Sequence, residues 1–327
     1  MKRLPSRVGI MLYFQLVIMA GTVMLAYYFE CTDTFGVHVQ GFFCYDTTYT
    51  KPYLGPEERS AIPPILLYAV VAVLPTLLIA ATETVLFLVQ YTSKEFDRSE
   101  KTVATGDCCY LNPLVRRTFR FLGVYTFGLF TVDIFANAGQ VATGNLAPYF
   151  MSICKPNYTA LGCHRAPRYI SHQEACTGDR DDILHARKTF PSKEAALSTY
   201  AALYLAMYVT CTVRVEGSRL AKPVLSLALL CLAFLTGLNR IAEYRNHWAD
   251  VIAGFVIGTA IATFLVVCVV HYFQGKLLLN DETPTGARTR AALVGTGQVE
   301  SPLDKYIVSQ VRRDARSLAV DRFCPTA

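Results

Sequence analysis

An all-α membrane protein with six transmembrane helices is the fold class this sequence predicts, and three observations carry it. The 327-residue chain is 53% hydrophobic and only 17% charged, more apolar material than an ordinary soluble domain holds. That material is gathered into six separate runs, each compatible with a helix that crosses a hydrocarbon core at about 1.5 Å per residue. Lys and Arg concentrate in alternate short connections, as retention of positive charge in the cytoplasm requires of a chain that crosses repeatedly.

The first run, Val8 to Phe29, follows Lys2, Arg3 and Arg7 and ends in Tyr27, Tyr28 and Phe29 rather than in the small residues of a cleavage site. It reads as a retained signal anchor. The next five run from about Ile62 to Gln90, Phe119 to Val141, Leu197 to Val213, Pro223 to Leu238 and Val251 to Phe273. Six crossings put both termini on one side. The connection with Lys94, Arg98, Lys101, Arg116, Arg117 and Arg120 is basic, as is the one with Arg214, Arg219 and Lys222, so these and the termini are expected in the cytosol.

The loop from Glu30 to Ala61 leans acidic through Asp33, Asp46, Glu57 and Glu58 and belongs outside. The loop from about Thr143 to Ala196 carries several basic residues, but at that length the charge rule loses force. Its glycosylation sequon, Asn157-Tyr158-Thr159, and its cysteines place it outside as well, with Asn157 the expected acceptor. Cys31, Cys44, Cys154, Cys163 and Cys176 allow two outward disulfides with one thiol left over, in a connectivity the sequence does not specify. Cys108 and Cys109 fall on the cytosolic side near the membrane, as acylation sites or as two reduced thiols.

Residues 1–275 are therefore expected to form the six-helix transmembrane domain. Residues 276–327, rich in Thr, Gly, Arg and Pro, are expected to form a mostly disordered cytosolic tail. Ile307, Val311 and Leu318 with Arg312, Arg313, Arg316 and Arg322 fit either a short amphipathic helix on anionic lipid or, preferred, a solvated charge run. No repeat, nucleotide-binding loop or metal-ligand spacing is present, so no cofactor, metal or nucleic acid is expected; the partners are membrane lipids.

Polar side chains inside the apolar runs narrow the reading, because a charged or amide group in hydrocarbon must face the bundle interior or a water-filled cavity. Asp133, Asn137 and Gln140 fall on one face of the third helix, which should point inward. Asn246, Asp250, Gly254 and Gly258 recur every four residues, so on a helix they share a face, and the glycines allow close helix approach. For both stripes, and for Glu83, the plain alternative is hydrogen bonding between helices without chemistry.

Three outward helix ends carry further spacings. Asn239-Arg240 is followed after five residues by Asn246 and after three more by Asp250. Pro191-Ser192-Lys193-Glu194 precedes the fourth helix, and Gln140 is followed after six residues by Ala147-Pro148. Taken in chain order, from Gln140 to Asp250, the segments resemble the three signatures of the type 2 phosphatidic acid phosphatase superfamily: Lys, six residues, Arg-Pro; Pro-Ser-Gly-His; and Ser-Arg, five residues, His, three residues, Asp. The resemblance implies a six-helix bundle in which the third-signature His attacks phosphorus and its Asp orients the ring. The second-signature His protonates the leaving alcohol, and Lys and Arg hold phosphate oxygens. That division suits imidazole, nucleophilic when neutral and acidic when protonated.

Here the nucleophile position is Asn246, the acid position Glu194, the first-signature Lys and Arg positions Gln140 and Ala147, the third-signature Ser position Asn239 and the second-signature Gly position Lys193. Only Ser192, Arg240 and Asp250 keep the family's chemistry, with Lys193 and Arg240 as candidates for phosphate contact. An amide forms no phospho-enzyme, and losing a covalent nucleophile lowers turnover by about 10⁶-fold in subtilisin. His247 as a substitute is disfavoured, because neighbouring helical side chains point about 100° apart.

Lost histidines in a retained frame resemble the phospholipid phosphatase-related, or plasticity-related, proteins. The runs Met19 to Phe29, Pro156 to Cys163 and Phe190 to Ala196 are most similar to their type 5 branch. The resemblance implies an inactive plasma-membrane protein that promotes filopodia and neurite outgrowth, associates with itself or its relatives and modulates lysophosphatidic acid responses. The alternative is a slow lipid phosphate phosphatase with an altered site. A transporter or channel fits less well, since the polar residues crowd one side, Asp133 and Glu83 being the exceptions.

Overall fold

The computed structural model describes residues 7–32, 35–92, 113–163, 168–171, 175–212 and 220–270. Among the described residues, six long helices are apolar enough to cross a membrane: α1 (Arg7–Cys31), α2 (Pro64–Thr92), α3 (Pro113–Thr143), α6 (Lys193–Thr212), α7 (Ala221–Ala242) and α8 (Trp248–Phe264), the last continuing as a π-helical turn over Leu265–Val269. The expected runs are all present, with ends shifted by several residues. The fourth begins earlier than hydropathy suggested, because Lys193 and Glu194 are inside its first turn. The tail beyond Gly275, Cys108 and Cys109, and most of the basic connections, for which the sequence carries expectations, lie outside the described residues.

α6 is the central helix: 72% of its span is buried, against 6% of α1's. Its interior role follows from sequence. Tyr200, Tyr204 and Tyr208 recur every four residues and share one face, where their hydroxyls donate to Tyr125 O at 3.0 Å, Phe121 O at 2.9 Å and Glu83 Oε1 at 2.9 Å. A phenol combines a large apolar body with a polar tip that needs a partner when buried, and backbone carbonyls of α3 supply two of them. Glu83 also lies 3.6 Å from Arg117 Nε, so it is a bridge between helices, as its plain alternative holds.

α6 also packs closely on α8. A Cβ on Gly254 would lie 2.5 Å from Ser192 O, and one on Gly258 2.4 Å from Ala196 O, so only glycine admits this approach. The expected role of the two glycines is thereby met.

At one end of the bundle the connections fold into a cap. Phe42–Phe43 (β1) pairs antiparallel with Tyr169–Ile170 (β2), and short helices α4 (Phe150–Cys154) and α5 (Arg180–His185) pack beneath. Asp179 caps α5 by accepting from the Asp181 amide at 2.9 Å and the Asp182 amide at 3.4 Å. Disulfides join Cys44 to Cys163 and Cys154 to Cys176, leaving Cys31 free, so two bridges and one spare thiol form as the count allowed.

Candidate functional site

Directly beneath that cap, the ends of α1, α3, α6, α7 and α8 converge. Ser192 caps α6, its Oγ accepting from the Ala195 amide at 3.4 Å, while its own amide donates to Asp250 O at 3.0 Å and ties α6 to the first turn of α8. Lys193 and Glu194 are consequently set inside the protein, at 8% and 7% exposure. Buried ions need partners, since desolvation otherwise costs several kcal/mol per ion.

Each finds them. Lys193 Nζ donates to Glu30 Oε2 at 2.5 Å and lies 2.8 Å from Asp133 Oδ1. Asn137 Nδ2 donates to both of these carboxylates at 3.2 Å. Arg240, in the last turn of α7, donates from Nη2 to Glu57 Oε1 at 3.0 Å, has Nη2 3.5 Å from Glu194 Oε2, and donates from Nε to Asn246 Oδ1 at 2.9 Å. Asn246 Nδ2 in turn donates to Thr189 O at 2.8 Å, so both ends of its amide are engaged. Glu194 also accepts from the Tyr68 hydroxyl at 3.3 Å and from Ser192 Oγ at 3.4 Å.

These groups border a cavity of about 220 Å³. Of the expected residues, Gln140, Lys193, Glu194, Arg240 and Asn246 line it; Gln140 Nε2 donates to Pro191 O at 3.1 Å. Ser192, Asn239 and Asp250 stand behind. Asn239 Nδ2 donates to Ser60 Oγ at 3.3 Å. Asp250 accepts from Asn145 Nδ2 at 3.2 Å and from the His247 amide at 3.0 Å, which makes it a joint between cap and bundle.

Four expectations need correction. Ala147 is not at the cavity: it is fully buried in the cap core with Leu146 and Phe150, its amide donating to Ala186 O at 2.8 Å. The long loop builds its own disulfide-stapled core and draws this apolar residue into it. Asn246 does not share a helical face with Asp250, because α8 starts at Trp248 and Asn246 sits in the preceding turn, its amide donating to Arg240 O at 3.3 Å. The 100° argument about His247 lapses for the same reason. What sets that ring apart is its place: Nδ1 lies 3.4 Å from Asp250 Oδ2, the ring meets Tyr49 edge-on at 5.7 Å, and it is absent from the cavity wall. Asp133, set aside as an exception to the polar cluster, belongs to it through Lys193.

Lys193 and Arg240, the candidates for phosphate contact, are each held by two carboxylates, so an incoming phosphate must compete with bonds already made. The carboxylates were the part missed. Glu30 has a weak signal, an acid closing an apolar run, whereas Glu57 and the cavity-lining Tyr149 have none, since only the folding of the cap brings them here. Tyr149 is pushed up to about 12 by burial, with the Glu57 carboxylate adding to it, and so stays a neutral phenol. At the rim, burial raises the Glu243 carboxyl, but hydrogen bonds from Ser60 and the Ala61 amide, with Arg245 and Asn239, outweigh it and hold the group below its ordinary value.

Comparison with known proteins follows this geometry. The PAP2 superfamily profile matches residues 121–274, which run from within α3 through α8. Phospholipid phosphatase-related protein type 5 of Homo sapiens is 64% identical over 295 residues, covering 90% of this chain and 92% of that protein. The type 5 protein of Xenopus laevis is 64% identical over 296 residues, 90% and 94% of the two chains. The type 1 protein of Danio rerio is 55% identical over 297 residues, 90% and 88%. No solved structure matches the chain.

Proposed function

The chain belongs to the phospholipid phosphatase-related proteins of the PAP2 superfamily, and from that premise we propose that it is a pseudophosphatase of the plasma membrane. In this reading it promotes filopodia and neurite outgrowth and modulates lysophosphatidic acid signalling through binding and association, without turnover. The observation that carries the inactive reading is Asn246. An attacking group needs a free lone pair aimed at phosphorus, and here the position is an amide with its oxygen held by Arg240 and its nitrogen by Thr189 O. Glu194, at the acid position, is committed to Arg240.

The test is phosphate release from lysophosphatidic acid by purified protein in nanodiscs, with acid-quench trapping of a phospho-enzyme. No release and no adduct are expected. Turnover that Asp250→Ala abolishes would overturn the reading.

The cap is proposed to face outside, both termini inside. Two disulfides suit an oxidising compartment, and Asn157 is exposed at the cap surface within its sequon. Glycosidase treatment should sharpen the band of the wild-type protein and leave Asn157→Gln unchanged. Association with itself or with relatives is proposed to involve the sparsely packed α1, which offers an apolar face to lipid or to a second copy.

One observation favours the slow-phosphatase alternative: His247 and Asp250 form the imidazole–carboxylate pairing of a nucleophile and its orienting acid. That alternative requires the ring to leave Tyr49 and enter the cavity, and it predicts residual activity lost in His247→Gln.

A further inference from the structure

The geometry points to the cavity as a receptor for a zwitterionic headgroup, a phosphate ester that also bears an ammonium group, rather than for a phosphate alone. This inference rests on the non-hydrolytic reading above and adds to it the class of ligand.

The wall carries both signs. Arg240, Arg245 and Lys188 line one cavity with Glu30, Glu57 and Glu194, and Lys193 already spans Glu30 and Asp133. Unused bonding capacity of both signs remains. Arg240 Nη1 and Arg245 Nε have no hydrogen-bond partner among the described residues, although their residues are only 6% and 3% exposed. The nearest carboxylate to Arg245 Nε, Glu243 Oε2, is 3.8 Å away and beyond hydrogen-bonding distance. Buried donors left unpaired are costly, and an anionic oxygen is the strongest partner for a guanidinium.

On the other side, Glu30 uses only Oε2, toward Lys193 and Asn137, and Glu57 only Oε1, toward Arg240. The second oxygen of each makes no hydrogen bond among the described residues, and both side chains keep solvent access, at 53% and 22% exposure. A phosphate monoester would satisfy the guanidinium nitrogens but meet three carboxylates. A simple amine would satisfy the carboxylates but leave the guanidinium nitrogens unpaired. A zwitterion satisfies both sets, and about 220 Å³ suits a headgroup, below the range of about 300–1,000 Å³ for drug-sized ligands.

The test uses the full chain in phosphatidylcholine-free nanodiscs, titrated calorimetrically with glycerophosphoethanolamine, glycerol 3-phosphate and ethanolamine. The expected result is glycerophosphoethanolamine binding at least tenfold tighter than either of the others, with the advantage lost in Glu57→Gln and in Glu30→Gln while both variants keep the wild-type melting temperature within a few degrees. Including phosphatidylethanolamine in the disc distinguishes sources: a weakened soluble titrant assigns the membrane lipid, an unchanged one assigns a free compound, and either supports the proposal. Equal or tighter binding of glycerol 3-phosphate, equal binding of ethanolamine, or no binding of any probe would each overturn it. Inorganic phosphate released from glycerol 3-phosphate, assayed in the same samples, would sink the non-hydrolytic reading without touching the binding comparison.

Discussion

Arg240 Nε donates to Asn246 Oδ1 at 2.9 Å, joining the last turn of α7 to the turn that precedes α8. At a place where the family's frame presents a phosphate-holding Arg and an attacking His, the two side chains here are bonded to each other. That bond has one consequence that can be measured, and the contacts around it have three more.

Restoring the family's residues should require more than one change. Asn246→His alone is expected to release no phosphate from lysophosphatidic acid, because Glu194 still occupies the acid position. Asn246→His with Glu194→His and Gln140→Lys is the smallest set expected to give measurable release. Adding Ala147→Arg should lower the melting temperature instead of raising activity, since a fully buried position in the cap core would receive an unpaired charge.

Lys193→Met should destabilise the protein by about 3 kcal/mol in reversible unfolding, because Glu30 and Asp133 lose their shared cation and Asp133, 17% exposed, is left without it. Adding Asp133→Asn should recover part of the loss. A double variant as unstable as the single one would show that the ion pairing is not the cause.

Gly258→Val should cost about 1–3 kcal/mol by forcing α6 and α8 apart, as the added Cβ would lie 2.4 Å from Ala196 O. Gly21→Val on α1 is the control: nothing lies within 4 Å of its added Cβ, and no loss is expected. Thermal unfolding of the two proteins in the same detergent makes the comparison.

Glu243 accepts from the Ala61 amide at 2.8 Å and its folded pKa is held below the ordinary value of 4.5. A depressed carboxylate stabilises the fold fully above its unfolded pKa, and that contribution is lost as pH falls through the folded one. Stability should therefore decline on acidification below about pH 4.5, and Glu243→Gln should flatten that part of the profile. An identical decline in the variant would assign the effect to other groups.

Much of this was legible in one dimension, for reasons that differ by element. The six crossings were readable because burial in lipid demands long unbroken apolar runs, and the inward stripe of Asp133, Asn137 and Gln140 because helical period fixes which residues share a face. That a helix approaches the last crossing closely was readable from Gly254 and Gly258; that it is α6 was not. The turn at Asn246 was not, since a four-residue repeat marks a helical face only where the helix exists, and α8 begins two residues later. Ala147 was misplaced because motif spacing counts residues without knowing that the loop between them folds on itself.

By itself the sequence determined the membrane class, the number of crossings and the family, since hydropathy and residue identity are local properties. The tertiary structure alone decided the partners. It brought Glu30 from the first helix and Glu57 from a loop onto Lys193 and Arg240, contacts separated by 163 and 183 residues. Charge pairing depends on distance in space, and chain position holds no record of that until the cap has folded over the bundle.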